Sequence, residues 1–185
     1  MCIRDSVVTP NLAELAALAD HPIDGWDDAL AAAAALSDRV GAAVLVKGGH
    51  LDGDDVPDAV IDAADGVSRG YPGARIATRN THGTGCSLSS ALATRLARGE
   101  SLTDAVASAR SWLRESLTES DALHVGRGHG PINHLGGLWR RGGLETTPDR
   151  AHLRDQWWER IAHLRADIDE LPFVGCLLYT SDAAD

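Results

Sequence analysis

Thr81-His82-Gly83-Thr84-Gly85-Cys86-Ser87 is the stretch that decides the fold of this chain. Its two glycines stand one residue apart, directly before an apolar-periodic segment, residues 88–96, that predicts a helix. Because glycine bends the backbone freely, the stretch can present several N–H groups at the start of that helix, which is an anion-binding geometry. Cys86 falls at or near the first helical turn, where the positive end of the helix dipole favours the thiolate. The sequence therefore predicts a phosphate site beside a reactive group.

Length, composition and charge narrow the function classes. The chain has 185 residues, of which 44% are hydrophobic and 24% charged, as is typical of a folded domain. Its net charge of −10 argues against a nucleic-acid or anionic-membrane surface, since such partners need excess Lys and Arg. No apolar run reaches the length of about 18 residues that a membrane span needs, and no signal-peptide pattern opens the chain, so a cytoplasmic protein is expected. Cys2, Cys86 and Cys176 are widely spaced and indicate neither a disulfide framework nor a zinc site.

A strand–helix–strand pattern precedes the glycine stretch. Residues 7–9 form a short apolar run that ends at Pro10 and predicts the end of a buried strand. The Ala-rich residues 27–40 predict a helix, and the continuous apolar run 42–46 predicts a strand covered on both faces. Because strand, helix and strand follow in this order, we expect a parallel crossover unit.

Shorter elements flank the glycine stretch on both sides. Residues 58–62 and 74–78 are β-compatible and are separated by a glycine-rich connection, which predicts an antiparallel pair at the sheet edge. Residues 88–98 and 103–117 carry apolar side chains at helical spacing and predict two amphipathic helices. These segments by themselves indicate core packing rather than chemistry.

Asn11 and Glu14 allow two interpretations. Asn11 stands where a helix N-cap belongs, and Glu14 follows three residues later, as in a capping box. Alternatively, both side chains face a metal-bound phosphate at the carboxyl end of the first strand. The local sequence leaves both interpretations open.

Lys47 directly follows the second predicted strand. An open parallel sheet places its ligand crevice at this edge, so Lys47 is a candidate phosphate contact. An exposed lysine at a strand end is the alternative.

A second turn-rich segment contains His129 and His134. Metal binding by these histidines would need a third ligand, and the sequence supplies none at a sensible spacing. A structural role for the segment is therefore favoured.

Four blocks of sequence together resemble one enzyme family. The blocks are Thr9-Pro10-Asn11-Leu12-Ala13-Glu14, Val46-Lys47-Gly48-Gly49-His50, Asn80 followed by the glycine stretch, and Gly128-His129-Gly130-Pro131-Ile132-Asn133-His134. Their order and approximate spacing resemble those of hydroxymethylpyrimidine/phosphomethylpyrimidine kinase of thiamin biosynthesis. The resemblance covers residues 7 to about 135, roughly the C-terminal half of such a kinase. It implies a partial ribokinase-like fold, an α/β three-layer sandwich with a parallel sheet.

The resemblance also implies roles for the matching positions. Asn11 and Glu14 look like the element that helps to hold Mg²⁺ and its water shell around the nucleotide phosphates. Lys47 resembles the catalytic lysine that contacts the transferring phosphate. The implied anion hole and the other phosphate contacts fall on one stretch: Thr81, Gly83, Thr84, Gly85 and Cys86.

Cys86 occupies a position where most ribokinase relatives carry Asp, the base that takes a proton from the substrate hydroxyl. Cysteine at this position is typical of the pyrimidine kinases, and a thiolate at a helix start can act as such a base. The implied reaction transfers phosphate from ATP, with Mg²⁺, to hydroxymethylpyrimidine and then to its monophosphate. The expected partner is this small-molecule substrate, with neither nucleic acid nor membrane, and a homo-oligomer is left open.

Two other functions remain as alternatives. One is another ribokinase-like vitamin kinase, such as a pyridoxine or pyridoxal kinase, because specificity lies largely in a pyrimidine pocket built by the N-terminal half. The other is a non-catalytic half-domain that at most binds nucleotide.

The end segments predict further divisions of the chain. Residues 1–6 and 176–185 resemble translated sequencing-adapter read-through and are not expected to belong to the fold. The kinase-like part spans 7–135, and the Gly-, Arg- and Thr-rich residues 136–148 predict a linker. Residues 149–175, with Trp157 and Trp158, resemble the opening helix of thiaminase II-like proteins, which would make them the start of a truncated all-α domain.

Overall fold

The structure is a computed structural model, and it describes residues 7–123, 125 and 128–142. The chain divides into two compact units, Met1–Leu138 and Trp139–Asp185, and only residues 139–142 of the second unit are described. The predictions for residues 1–6, 149–175 and 176–185 therefore lie outside the described residues.

Four strands form one mixed sheet in the order β1-β2-β3-β4. The strands are β1 (Val7–Val8), β2 (Ala43–Lys47), β3 (Asp58–Asp62) and β4 (Val67–Tyr71). β1 and β2 are parallel, with Val7 opposite Ala43, which confirms the predicted crossover unit. The pairs β2–β3 and β3–β4 are antiparallel.

The predicted strand at residues 74–78 is wrong, because the partner of β3 is β4, within the predicted glycine-rich connection. A tight local turn explains the difference. Asp62 Oδ1 accepts hydrogen bonds from the amides of Ala64 and Asp65, at 3.1 and 3.3 Å, and Gly66 adopts a φ of +67° that favours glycine. The chain therefore turns back at once, so β4 pairs with β3 before residue 74 is reached.

Helices cover the sheet on both sides. Their bounds are α1 (Leu12–Ala19), α2 (Trp26–Val40), α3 (Thr84–Ala97), α4 (Leu102–Thr118) and α5 (Gly136–Arg141), with a 3₁₀ turn at Ser120–Ala122. The helices predicted at 27–40 and 103–117 are confirmed to within one residue at each end. α3 begins four residues before its predicted start, so residues 84–87 form its first turn. α5 lies in the segment predicted as a linker.

Successive side chains of β2 point to opposite faces of the sheet, so the core has two layers. Ala43 and Leu45 pack with Leu88, Leu92 and the α4 side chains on one face. The opposite face of the sheet packs against α1 and α2, through Val44, Val46, Ile61, Leu15, Ala29, Ala33 and Leu36. The predicted α/β three-layer sandwich is thus confirmed, and it brings the ends of β1 and β2 beside the start of α3. No helix in the described part of the chain is long and apolar enough to cross a membrane.

Candidate functional site

Parallel pairing places Asn11 beside Lys47. The Lys47 amide donates a hydrogen bond to the Pro10 carbonyl at 3.1 Å, and Asn11 and Lys47 form an isolated parallel bridge. Lys47 is the last residue of β2 and Asn11 lies three residues after the end of β1, so the carboxyl ends of both strands open at one edge of the sheet. The expectation that Lys47 lies at this edge is confirmed.

Asn11 and Glu14 form a reciprocal capping box at the start of α1. The Asn11 side chain accepts a hydrogen bond from the Glu14 amide at 2.8 Å, and Glu14 Oε2 accepts one from the Asn11 amide at 2.7 Å. The same Glu14 oxygen lies 3.7 Å from Lys47 Nζ. The capping interpretation is therefore confirmed, and it leaves the Glu14 carboxylate at the edge of the site, with its side chain 56% exposed.

The glycine stretch, residues 81–87, is called the anion stretch below, and its residues 84–87 form the first turn of α3. Gly83 is the N-cap with a φ of +83°, a conformation that favours glycine, and no side chain caps this helix. The amides of Gly85 and Cys86 lie in the first turn, where helical N–H groups have no acceptor within the helix. Lys47 reaches this turn, since a Cβ added at Gly85 would lie 3.6 Å from Lys47 Nζ. An ammonium group and unpaired helix amides thus converge.

These groups line a cleft of about 530 Å³. The predicted residues that line it are Asn11, Glu14, Lys47, Thr81, Thr84 and Gly85. It also contains charged side chains that sequence reasoning missed: Asp58, Arg75, Arg110 and Arg114. Four basic side chains against two carboxylates make the lining net positive, as a phosphate-binding cleft requires.

Asp58 supports the turn that follows Lys47. It lies opposite Lys47 in the β2–β3 register, its Oδ1 accepts a hydrogen bond from the Gly48 amide at 3.0 Å, and its Oδ2 accepts one from Arg110 Nε. The Asp58 and Arg110 side chains are 15% and 10% exposed. A Cβ at Gly48 would overlap the Pro57 carbonyl oxygen, so only glycine fits there. The ion pair therefore holds the backbone beside Lys47.

Arg75 organises the loop between β2 and β3. Its guanidinium donates hydrogen bonds to the carbonyls of Gly49, Leu51 and Gly53, with the Gly49 and Gly53 contacts at 3.1 and 2.8 Å. Three alternate carbonyl groups thus surround one cation, and the described ion pairs do not include Arg75. The positive charge of Arg75 therefore contributes to the lining of the cleft without a carboxylate partner among the described ion pairs.

Cys86 faces a different part of the surface. It lies in the first turn of α3, as the sequence predicts, and its thiol is free and exposed. It lines a second, more open groove of about 680 Å³ together with Ser87, Trp112 and His134, whereas Lys47 lines the first cleft. Gly85 and Cys86, consecutive residues of one helical turn, therefore line two different depressions.

The sequence gives only weak indications that Asp58 and Arg110 belong to the cleft. Arg110 stands within the predicted helix 103–117, immediately after the inward-facing Ala109, and it is itself buried. Asp58 opens a predicted strand, where a carboxylate indicates no particular function. Their pairing depends on how α4 packs across the sheet, and no local pattern encodes that packing.

Asn11 and Glu14 match a metal held partly through water. Among the described residues, no group of three or more His, Cys, Asp or Glu side chains is placed to hold a metal ion, a finding that also covers His129 and His134. Mg²⁺ typically keeps several waters and takes one or two carboxylates together with substrate phosphates. One exposed carboxylate beside a cleft with a net positive lining suits that donor set.

Comparisons with known proteins show that this chain is similar to small-molecule kinases. A family model described as phosphomethylpyrimidine kinase matches residues 2–133. The hydroxymethylpyrimidine/phosphomethylpyrimidine kinase of Rhizobium meliloti is 45% identical over 135 residues, 72% of this chain and 50% of that protein. The thiamine biosynthesis multifunctional protein ThiED of Corynebacterium glutamicum is 45% identical over 157 residues, 83% of this chain and 20% of that protein.

A solved structure shows the same fold. The pyridoxal kinase from Staphylococcus aureus, in complex with AMP-PCP, matches with a TM-score of 0.65 at 29% identity over 72% of this chain and 48% of that one. The match confirms the predicted partial α/β kinase fold. This chain spans about half the length of the Rhizobium and Staphylococcus proteins and a fifth of the Corynebacterium protein.

Proposed function

Because the chain belongs to the phosphomethylpyrimidine kinase family, we propose that it carries the phosphate-transfer half of an enzyme that phosphorylates hydroxymethylpyrimidine and then its monophosphate, using ATP. The observation that supports this proposal most directly is the approach of Lys47 Nζ to Gly85 in the uncapped first turn of α3. An ammonium group beside free helix amides suits a transferring phosphate.

Phosphoryl transfer depends on alignment and on compensation of negative charge. The substrate hydroxyl oxygen attacks the γ-phosphorus, the bond from that phosphorus to the β-phosphate oxygen breaks, and ADP leaves. Lys47 and the amides of the first turn of α3 stabilise charge on the transferring group, while Arg75, which lines the same cleft, attracts the polyphosphate. Glu14 and Asn11 would hold Mg²⁺ through water, and the ion would supply further charge neutralisation at the phosphates.

Cys86 takes the proton in this proposal. As a thiolate it accepts the proton of the substrate hydroxyl while the oxygen attacks phosphorus. Its place beside Gly85 supports the assignment, because consecutive residues of one helical turn then contact the transferring phosphate and the attacking hydroxyl. Its location on the second groove suits a substrate hydroxyl that approaches from that groove.

A pyridoxal kinase is the second candidate function. The match to the Staphylococcus aureus pyridoxal kinase favours it, but at 29% identity against 45% for the Rhizobium pyrimidine kinase. A chain that spans half of its relatives also allows a third outcome, a half-domain that binds nucleotide without turnover.

Two measurements separate these outcomes. Calorimetry of the 185-residue chain with ATP and Mg²⁺ tests nucleotide binding. For turnover, the chain is completed with the N-terminal half of the Rhizobium meliloti relative, and ADP release is measured with hydroxymethylpyrimidine and with pyridoxal. We expect ATP binding and turnover with the pyrimidine. Turnover with pyridoxal alone would support the second candidate, and binding without turnover of either substrate would support the third.

A further inference from the structure

The second turn-rich segment packs along the anion stretch. The amide of His82 donates a hydrogen bond to the Gly130 carbonyl at 3.1 Å, and the amide of Ile132 donates one to the His82 carbonyl at 3.4 Å. His82 and Pro131 accordingly form a parallel bridge. Residues 130–134, the clamp segment, thus hold the anion stretch at its N-terminal side.

A side-chain contact holds the other side of the anion stretch. His134 Nε2 and Ser87 Oγ share a hydrogen bond of 2.7 Å, and the His134 ring lies 5.9 Å from the Trp112 ring. Ser87 directly follows Cys86, and its amide closes the first turn of α3 by donating to the Gly83 carbonyl at 2.9 Å. The contact therefore acts on the turn that contains the free amides.

The clamp segment is itself anchored to the end of α4. The Asn133 amide donates to the Ser116 carbonyl at 3.0 Å, and Asn133 Nδ2 donates to the Glu119 carbonyl at 3.2 Å. Ile132 is 1% exposed. Bonds to both α4 and the anion stretch make the segment a rigid connection between them.

Gly130 makes the close approach possible. A Cβ at this position would overlap Asn80 Oδ1, and Asn80 has little freedom to move because its Nδ2 donates to the Ser120 carbonyl at 2.9 Å. A glycine in contact with the residue that precedes the anion stretch allows the two backbones to meet.

We propose that His134 is a positioning residue: through Ser87, and together with the backbone of the clamp segment, it holds residues 82–87 in the conformation that binds the phosphate groups of the nucleotide. This inference rests on the proposed function for its ligand. It assigns a role to residues 128–134, which take no part in the proposed phosphoryl transfer.

Four single variants of the 185-residue chain, and the double variant His134→Phe/Ser87→Ala, test this role. His134→Phe keeps a ring beside Trp112 but removes the hydrogen bond, Ser87→Ala removes it from the other partner, and His134→Gln keeps a polar group near Nε2. His129→Phe is the matched control, because His129 is an exposed histidine in the same segment, residues 128–134. ATP affinity is measured by calorimetry, and amide hydrogen exchange of residues 81–87 by mass spectrometry.

We expect His134→Phe and Ser87→Ala each to weaken ATP binding about 2- to 10-fold, as the loss of one hydrogen bond predicts. The double variant should bind no more weakly than either single variant, because both remove the same contact. His134→Gln should restore most of the affinity and His129→Phe should leave it unchanged. Wild-type affinity and unchanged exchange in both His134→Phe and Ser87→Ala would overturn the inference.

The exchange measurement separates this inference from the proposed function. If the chain binds no ATP, the proposed nucleotide site fails for this chain and exchange alone decides the positioning role. Faster exchange of residues 81–87 in His134→Phe, with β2 unchanged, would then support the clamp. Equal exchange in His134→Phe and the wild type would refute it.

Discussion

Lys47 Nζ lies 3.7 Å from Glu14 Oε2, between that carboxylate and the first turn of α3. The Lys47 side chain is 20% exposed, so most of it is buried. Its carboxylate partner is more exposed and also caps α1. The two residues thus join the end of β2, the start of α1 and the start of α3 at one point.

Lys47→Met tests the ammonium group at this point. The variant keeps the length of the side chain but removes the positive charge that faces Gly85. In the completed chain we expect kcat to fall by a factor on the order of 100, since the charge acts on the transferring phosphate. Steady-state kinetics with ATP and hydroxymethylpyrimidine measures the change.

Glu14→Gln is the control for Lys47→Met, because it removes the other charge of the Lys47–Glu14 ion pair. Its amide oxygen can still accept the Asn11 amide hydrogen bond, so the cap on α1 remains. An exposed ion pair contributes about 0–1 kcal/mol, and the free energy of unfolding should therefore change little. A kcat for Lys47→Met within twofold of the wild type, at unchanged stability, would contradict the role of the ammonium group.

Cys86→Ala tests the proposed proton acceptor. If the thiolate takes the proton of the substrate hydroxyl, its loss should lower kcat in the completed chain by about 10²- to 10⁴-fold. Cys86→Asp supplies a different base at the same position and should recover part of that loss. Full turnover by Cys86→Ala would exclude the thiol as the base, and equal defects in both variants would indicate that the position does not act through a base.

Local patterns predicted the parts of the site that lie on single elements. A cap at Asn11, a strand ending at Lys47 and a helix starting at the glycine stretch each depend on neighbours within a few residues. Parallel pairing then brings Asn11 and Lys47 together, because β1 and β2 follow the crossover rule. Sequence reasoning therefore located the cleft edge that these residues share.

Contacts between distant segments were not predictable in the same way. Asp58 meets Arg110 only because α4 crosses the face of the sheet, and His134 meets Ser87 only because the clamp segment returns to the start of α3. The strand error at residues 74–78 has a related cause: Asp62 side-chain bonds stabilise an early turn, and periodicity does not report such bonds.

Asp58→Asn tests the support of the turn after Lys47. An asparagine can still accept from the Gly48 amide, but it leaves the Arg110 guanidinium without its carboxylate in a largely buried position. We expect the free energy of unfolding to fall by on the order of 3 kcal/mol, as for other buried ion pairs that lose one partner. Urea denaturation followed by tryptophan fluorescence measures this change.

Glu100→Gln provides the control for Asp58→Asn. It breaks the Arg95–Glu100 pair, whose side chains are 34% and 30% exposed, and should cost less than about 1 kcal/mol. Equal losses in the two variants would mean that burial does not set the contribution of the Asp58–Arg110 pair.

Tyr71→Phe tests how the core responds to pH. Burial raises the pKa of the Tyr71 phenol above its usual value of about 10, and Arg69 opposes that shift. The phenol also donates a hydrogen bond to the Thr103 carbonyl at 2.9 Å. Since the folded state favours the protonated form, this stabilisation is complete below the unfolded pKa and is lost as the pH rises through the folded one.

Near pH 8 the wild type should therefore be more stable than Tyr71→Phe by about 1 kcal/mol. That difference should shrink above about pH 10, while losses from other groups affect both chains alike. Urea denaturation of both chains at a series of pH values measures it, and a difference that stays constant to about pH 11 would refute the linkage.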